Sequence, residues 1–170
     1  MAELKEDTGI YPVMTALVEC LGVALEEAGA ETPSFIGVLP GAQVAFDFCG
    51  AEGCGGQVWV RLANAFPSLQ FPLPLSTEAR CGSPLAYILE VGIVRCAATP
   101  DGFSASPPGP LAQLEVVRKV TADMEIMRKA IQCCVKGQER PHALGNYTPT
   151  ADSGGCVGGV WTVTIGQYEE

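Results

Sequence analysis

Positive charge is scarce in this chain: ten Lys and Arg stand against nineteen Asp and Glu in 170 residues, a net charge of −9. Nucleic-acid surfaces need Lys and Arg clustered against phosphates, so the deficit speaks against DNA or RNA binding across the chain. Histidine is scarcer still. His142 is the single one, and beside Pro141 it reads as an exposed loop residue; a Cys–His pair would need a proximity that sequence alone does not supply. No apolar run reaches the ~18 residues of a membrane helix, because charges, Pro or Gly interrupt each one. The start, MAELKEDTG, has neither the basic residues nor the apolar core of a signal peptide.

Motifs are missing too. There is no CxxC, HExxH, GxSxG, GxGxxG or Walker sequence. The glycine-rich CGAEGCGG precedes strand-like QVWVRLA and no helix, which excludes a phosphate loop. Asp47, Glu52 and Asp101 lie near glycine turns, with no pair forced into acid–base geometry. SGGCVGG around Cys156 reads as a structural turn, since no helix stands behind it. The expectation is a protein that is not an enzyme and has no cofactor or metal.

Cysteine, by contrast, is plentiful. The eight are Cys20, Cys49, Cys54, Cys81, Cys96, Cys133, Cys134 and Cys156. The first reading is buried thiols, with Cys20 and Cys134 acting as small hydrophobes in helix cores. Disulfides formed in an oxidising medium and a zinc site are the other two readings. For zinc the only hint is Cys49-x4-Cys54.

The chain is organised around Leu111–Cys134. Leu114, Val117, Val120, Met124, Met127, Ile131 and Cys134 recur at 3-4 spacing, predicting one apolar stripe on a long helix begun after Pro107, Pro108 and Pro110 and closed by Gly137. Pro12–Ala28 predicts a second helix, with Met14, Leu17, Val18, Leu21, Leu25 and Ala28 on one face and Gly29 ending it. Strands are expected in the second half of Phe35–Phe48, over Gln57–Ala63 as its hairpin partner, over Leu85–Ala98, and over Gly159–Ile165. ERPHALGNYTPTADSGGCVGG reads as an irregular connection, and TPDGFSASPPGP as a linker. The expected fold class is therefore α+β: one domain over 1–170 with flexible ends at 1–10 and 166–170, and a four-stranded sheet in the order α-β-β-β-α-β, both helices packed on one face.

Two features suggest assembly. FPSLQFPLPL carries three prolines, and Phe66, Leu69, Phe71 and Leu73 would be costly to leave in water, so the loop folds onto its own domain or docks on a neighbour. Charge is uneven: residues 1–31 hold seven acids and one Lys, while six of the ten basic residues lie between Arg118 and Arg140. That pattern describes either two solvated helix faces or opposed charged edges that meet in an assembly. Candidate interface residues are Phe66, Leu69, Phe71, Leu73, Arg118, Arg128 and Tyr147.

The element order at this length resembles the tail terminators of long-tailed phages, the lambda-type family. GQVWVRL, LAYILEVGIVRCAATPDG, ADMEIMRKAI and GGCVGGVWTVTI, in that order, also resemble small neck-region proteins of siphophages infecting actinobacteria. The resemblance implies a structural virion protein of the tail and neck, assembled in the host cytoplasm. It implies a homo-oligomeric ring, usually a hexamer, that caps the major tail tube protein, stops its polymerisation and meets a head-to-tail stopper or neck protein. DNA would pass through the lumen without specific binding, no membrane is involved, and no catalytic residue is carried across. The eight cysteines and the proline-rich loop depart from the lambda type. A head-to-tail stopper or adaptor is the nearest alternative; a thiol or metal-dependent enzyme using Cys49, Cys54 or Cys156 belongs to a different class.

Overall fold

A computed structural model of the chain describes residues 9–49, 54–76, 78, 80–98, 107–136, 140–153 and 155–167. Glu52, Asp101, Gly137, most of the expected linker and most of both expected flexible ends lie outside them.

The first helix, α1 (Tyr11–Glu27), has Pro12 in its first turn, where a missing N–H costs nothing. Val13, Met14, Leu17, Leu21 and Leu25 are buried along one stripe, and Ala28, expected on that face, is exposed. Gly29 ends the helix at φ 64°. Its amide donates to the Glu26 carbonyl and that of Ala30 to Leu25, a Schellman ending that only glycine enters without strain.

Among the described residues five strands form one mixed sheet, not the four expected. They are β1 (Phe35–Val38), β2 (Gln57–Pro67), β3 (Leu85–Cys96), β4 (His142–Ser153) and β5 (Cys156–Gly166), with α2 (Pro110–Lys136) between β3 and β4. The spatial order is β1-β2-β3-β5-β4. The α+β class holds, and the strand count does not. The added strand is β4, in the stretch read as irregular. Pro149 and Gly145 hid it, but an edge strand tolerates proline, and β4 lies on the edge with register shifts at Leu144/Tyr147 and Thr150/Ser153. His142 is thus a half-buried strand residue and not part of an exposed loop.

The predicted hairpin is also corrected. The first half of Phe35–Phe48 makes the strand, and β1 pairs with β2 in parallel, Phe35 opposite Gln57 and Val38 opposite Val60. Parallel neighbours need a long crossing connection. Val44 and Phe46, whose alternation suggested a strand, pack in that connection against the far face of the sheet, where Phe46 meets Trp59 at 5.7 Å.

Both helices cover the other face. One core joins the buried α1 stripe, Met127, Ile131 and Val135 of α2, and Val58, Val60, Leu89, Val91, Ile93, Val163 and Ile165 of the sheet. The acidic and basic helices are therefore neighbours and not opposed edges, with Lys119 Nζ 3.3 Å from Glu31. Arg95 of β3 and Asp123 of α2 form a buried fork at 2.7 and 2.9 Å, and Arg95 Nη1 also donates to the Glu31 carbonyl.

Cysteine pairing overturns the first reading of buried thiols. Cys20–Cys134 ties α1 to α2 at a Cα separation of 6.3 Å. Cys49–Cys156 and Cys54–Cys96, at 5.3 and 5.8 Å, tie the crossing connection to the sheet, all within disulfide reach. Cys81 and Cys133 are exposed free thiols.

Candidate assembly interface

Among the described residues, only the second half of α2 has a sheet and a helix to lie on. At 27 residues it is about 40 Å long, whereas the 17 residues of α1 span about 26 Å. The excess projects. Leu111, Leu114 and Val117 are 82%, 64% and 55% exposed, so the front of the predicted stripe faces outward. Sequence periodicity placed Leu114 and Val117 in the core because it reports which residues share a face and not whether anything covers that face. The mismatch in helix lengths was the available signal.

The loop between β2 and β3 divides in two. Phe66 continues β2 opposite Ala86 and is half-buried. Phe71 is half-buried and lines a cavity of about 250 Å³ with Pro84, Pro141 and Gly166. Leu69 and Leu73 stay 63% and 59% exposed. The loop is held by its own chain: Ser68 Oγ donates to the Leu73 carbonyl at 2.7 Å, and the Leu75 amide to Pro67 at 2.8 Å. Leu69 and Leu73 therefore stand on a built surface.

These two apolar patches lie at opposite ends of the molecule. β3 runs from the loop at Leu85 to Cys96, and α2 returns along the sheet from Asp123 beside Arg95 towards Arg140, whose Nη2 donates to the Gly9 carbonyl. The projecting turns of α2 extend past the Cys96 end, while Leu69 and Leu73 sit at the Leu85 end. A third feature is an open apolar cleft of about 580 Å³ beside edge strand β1, lined by Tyr11, Met14, Val38, Leu39, Pro40 and Leu62.

The remaining expected residues lie apart from the loop. Arg118 donates to both carboxylate oxygens of Glu115 at 3.0 and 2.7 Å. That pairing, chiefly its hydrogen bonds, lowers the Glu115 pKa and raises that of Arg118. Arg128 pairs with Glu125 at 2.9 Å and reaches Gln132. Tyr147 turns towards the core, 5.5 Å from the Trp161 ring, whose Nε1 donates to the Met124 carbonyl. Burial, and secondarily the Asp123 carboxylate, pushes the Tyr147 hydroxyl pKa up.

Among the described residues no helix is long and apolar enough to cross a membrane. In comparisons with known proteins, no family model matches this chain, and no curated protein matches it significantly.

Proposed function

We propose that this chain is a structural virion protein, a tail terminator whose copies close into a ring that caps the tail tube, stops its growth and joins the tail to the neck. The observation that carries the reading is the projecting front of α2, with Leu111, Leu114 and Val117 in water. Three aliphatic side chains on one helical stripe are a standing cost unless a partner covers them. The open cleft at β1 offers a place of matching chemistry, its lining side chains apolar apart from the Tyr11 hydroxyl. A knob on one part of a molecule and a hole on another generate a heterologous contact, and such contacts make a ring when the rotation closes.

The patch at Leu69 and Leu73, at the other end, is left for a different neighbour: tube protein on one side, a neck or stopper protein on the other. A subunit of net charge −9 suits a lumen through which DNA slides without being held.

The test is the mass of the purified chain by light scattering, with Leu111→Asp/Leu114→Asp as the comparison. The double variant should stay folded by circular dichroism, since both side chains are exposed, and should dissociate. Association undiminished in the folded variant would reject the α2 contact.

A further inference from the structure

Four cysteines arrive at one point from three separate stretches of chain. Cys96 ends β3 and Cys156 begins β5, and they face each other as the last pair of the antiparallel ladder. Cys49 closes a short 3-10 turn at Asp47–Cys49 in the crossing connection, and Cys54 stands just ahead of β2. Their disulfides, Cys49–Cys156 and Cys54–Cys96, lie against one another: Cys54 Sγ is 3.8 Å from Cys156 Sγ, although they belong to different bridges. Cys49 and Cys156 are 2% and 0% exposed, and Phe46, Trp59 and Val94 pack around the group.

Freed of their bridges, four sulfurs so close together are within reach of one tetrahedral metal. Four sulfurs each ~2.3 Å from a zinc ion stand ~3.8 Å from one another. The Cys54–Cys156 separation already has that value. Cys49 and Cys54 are spaced C-x4-C, within the range that zinc ligands use. The backbone is built for close approach here. Gly155, before Cys156, has φ 83°, and a Cβ on it would lie 3.0 Å from the Cys49 carbonyl oxygen. While all four sulfurs are oxidised, no group of three or more His, Cys, Asp or Glu could hold a metal among the described residues. Reduction frees all four sulfurs. A phosphine gives each disulfide two electrons and leaves as its oxide, water supplying the oxygen and the two protons, so that each bridge yields two thiols; zinc then displaces the four thiol protons to solvent.

We propose that in its reduced form the chain binds a single Zn²⁺ as a tetrathiolate through Cys49, Cys54, Cys96 and Cys156. Disulfides do not persist in a reducing cytoplasm. There the ion replaces the two bridges in pinning the crossing connection to the sheet, and its binding free energy becomes folding free energy. The site has no open coordination position, which makes it structural. It stands whether or not copies of the chain form a ring.

The experiment uses the full chain, reduced with a phosphine under inert gas, given zinc sulfate, freed of excess and weighed by native mass spectrometry. A single zinc per chain is expected. Cys54→Ser/Cys96→Ser should lower zinc affinity by at least about tenfold, while Cys20→Ser/Cys134→Ser and Cys81→Ser/Cys133→Ser retain it. A serine variant that fails to fold would also lose zinc, so cobalt(II) on the wild-type chain gives a separate readout. It should show the intense visible absorption of tetrahedral tetrathiolate cobalt, displaced by zinc. A reduced wild-type chain that retains no zinc, lacks that cobalt spectrum, or loses zinc no more readily when Cys54 and Cys96 are serine overturns the proposal.

Discussion

Replacing Asp123 by Asn should be the most damaging conservative change in the protein. Asp123 and Arg95 side chains are 6% and 7% exposed, and the guanidinium meets both carboxylate oxygens at 2.9 and 2.7 Å. The amide keeps the shape and one acceptor but leaves the Arg95 cation buried without a counter-charge. Breaking one side of such a pair costs about 3–5 kcal/mol. With a urea slope of about 2 kcal/mol per molar, the unfolding midpoint should fall by roughly 1.5–2.5 M. Trp59 and Trp161, both on the sheet, report the transition by fluorescence. Arg95→Met/Asp123→Leu removes both charges and should lie within about 1.5 kcal/mol of wild type, the remaining loss coming from the Glu31 carbonyl that Arg95 no longer serves. A single variant that loses less than about 1 kcal/mol, or a double variant as unstable as the single one, would refute the reasoning.

Tyr147→Phe should change stability at neutral pH by no more than about 1 kcal/mol, because the Tyr147 hydroxyl is buried with no hydrogen-bond partner among the described residues. Its pKa is raised in the folded chain, by burial first. The neutral phenol's contribution is therefore complete below the unfolded value of about 10 and is lost as pH rises through the folded one. Alkaline urea titrations should show wild type losing more stability than the variant above pH ~10; parallel curves would contradict this. Gly92→Val should destabilise by about 1–3 kcal/mol through overpacking, since a Cβ there overlaps the Trp59 indole, and thermal unfolding measures it. Cys20→Ser/Cys134→Ser, under oxidising conditions, removes a link across 114 residues and should cost about 2–4 kcal/mol by the same assay.

Both helices were legible because 3-4 spacing is a property of the local chain. α1 and α2 begin and end within two residues of their expected bounds wherever the ends are described. β3 and β5 were legible from apolar and β-branched density. Pairing was not. Val44 and Phe46 alternate as a strand does, but what they alternate against is the Trp59 and Val94 surface of the sheet, and no local pattern separates the two. A glycine inside an apolar strand marks a close approach without naming the neighbour, and at Gly92 that neighbour is the Trp59 indole of the adjacent strand. Arg95 is a charge within an apolar run, and its partner lies 28 residues on, beyond any local pattern. The candidate surface followed the same rule. Composition identified the proline-stiffened loop, whereas the exposed front of α2 depends on where α1 stops, a fact of tertiary length matching.

The most direct test of ring assembly is imaging of the purified wild-type chain by negative-stain electron microscopy, with its mass measured in the same buffer. The account predicts closed rings with an open centre, with a mass near 107 kDa for six copies of the 17.8 kDa chain. Particles that remain single 17.8 kDa globules, both alone and mixed with tail tube protein, would contradict it.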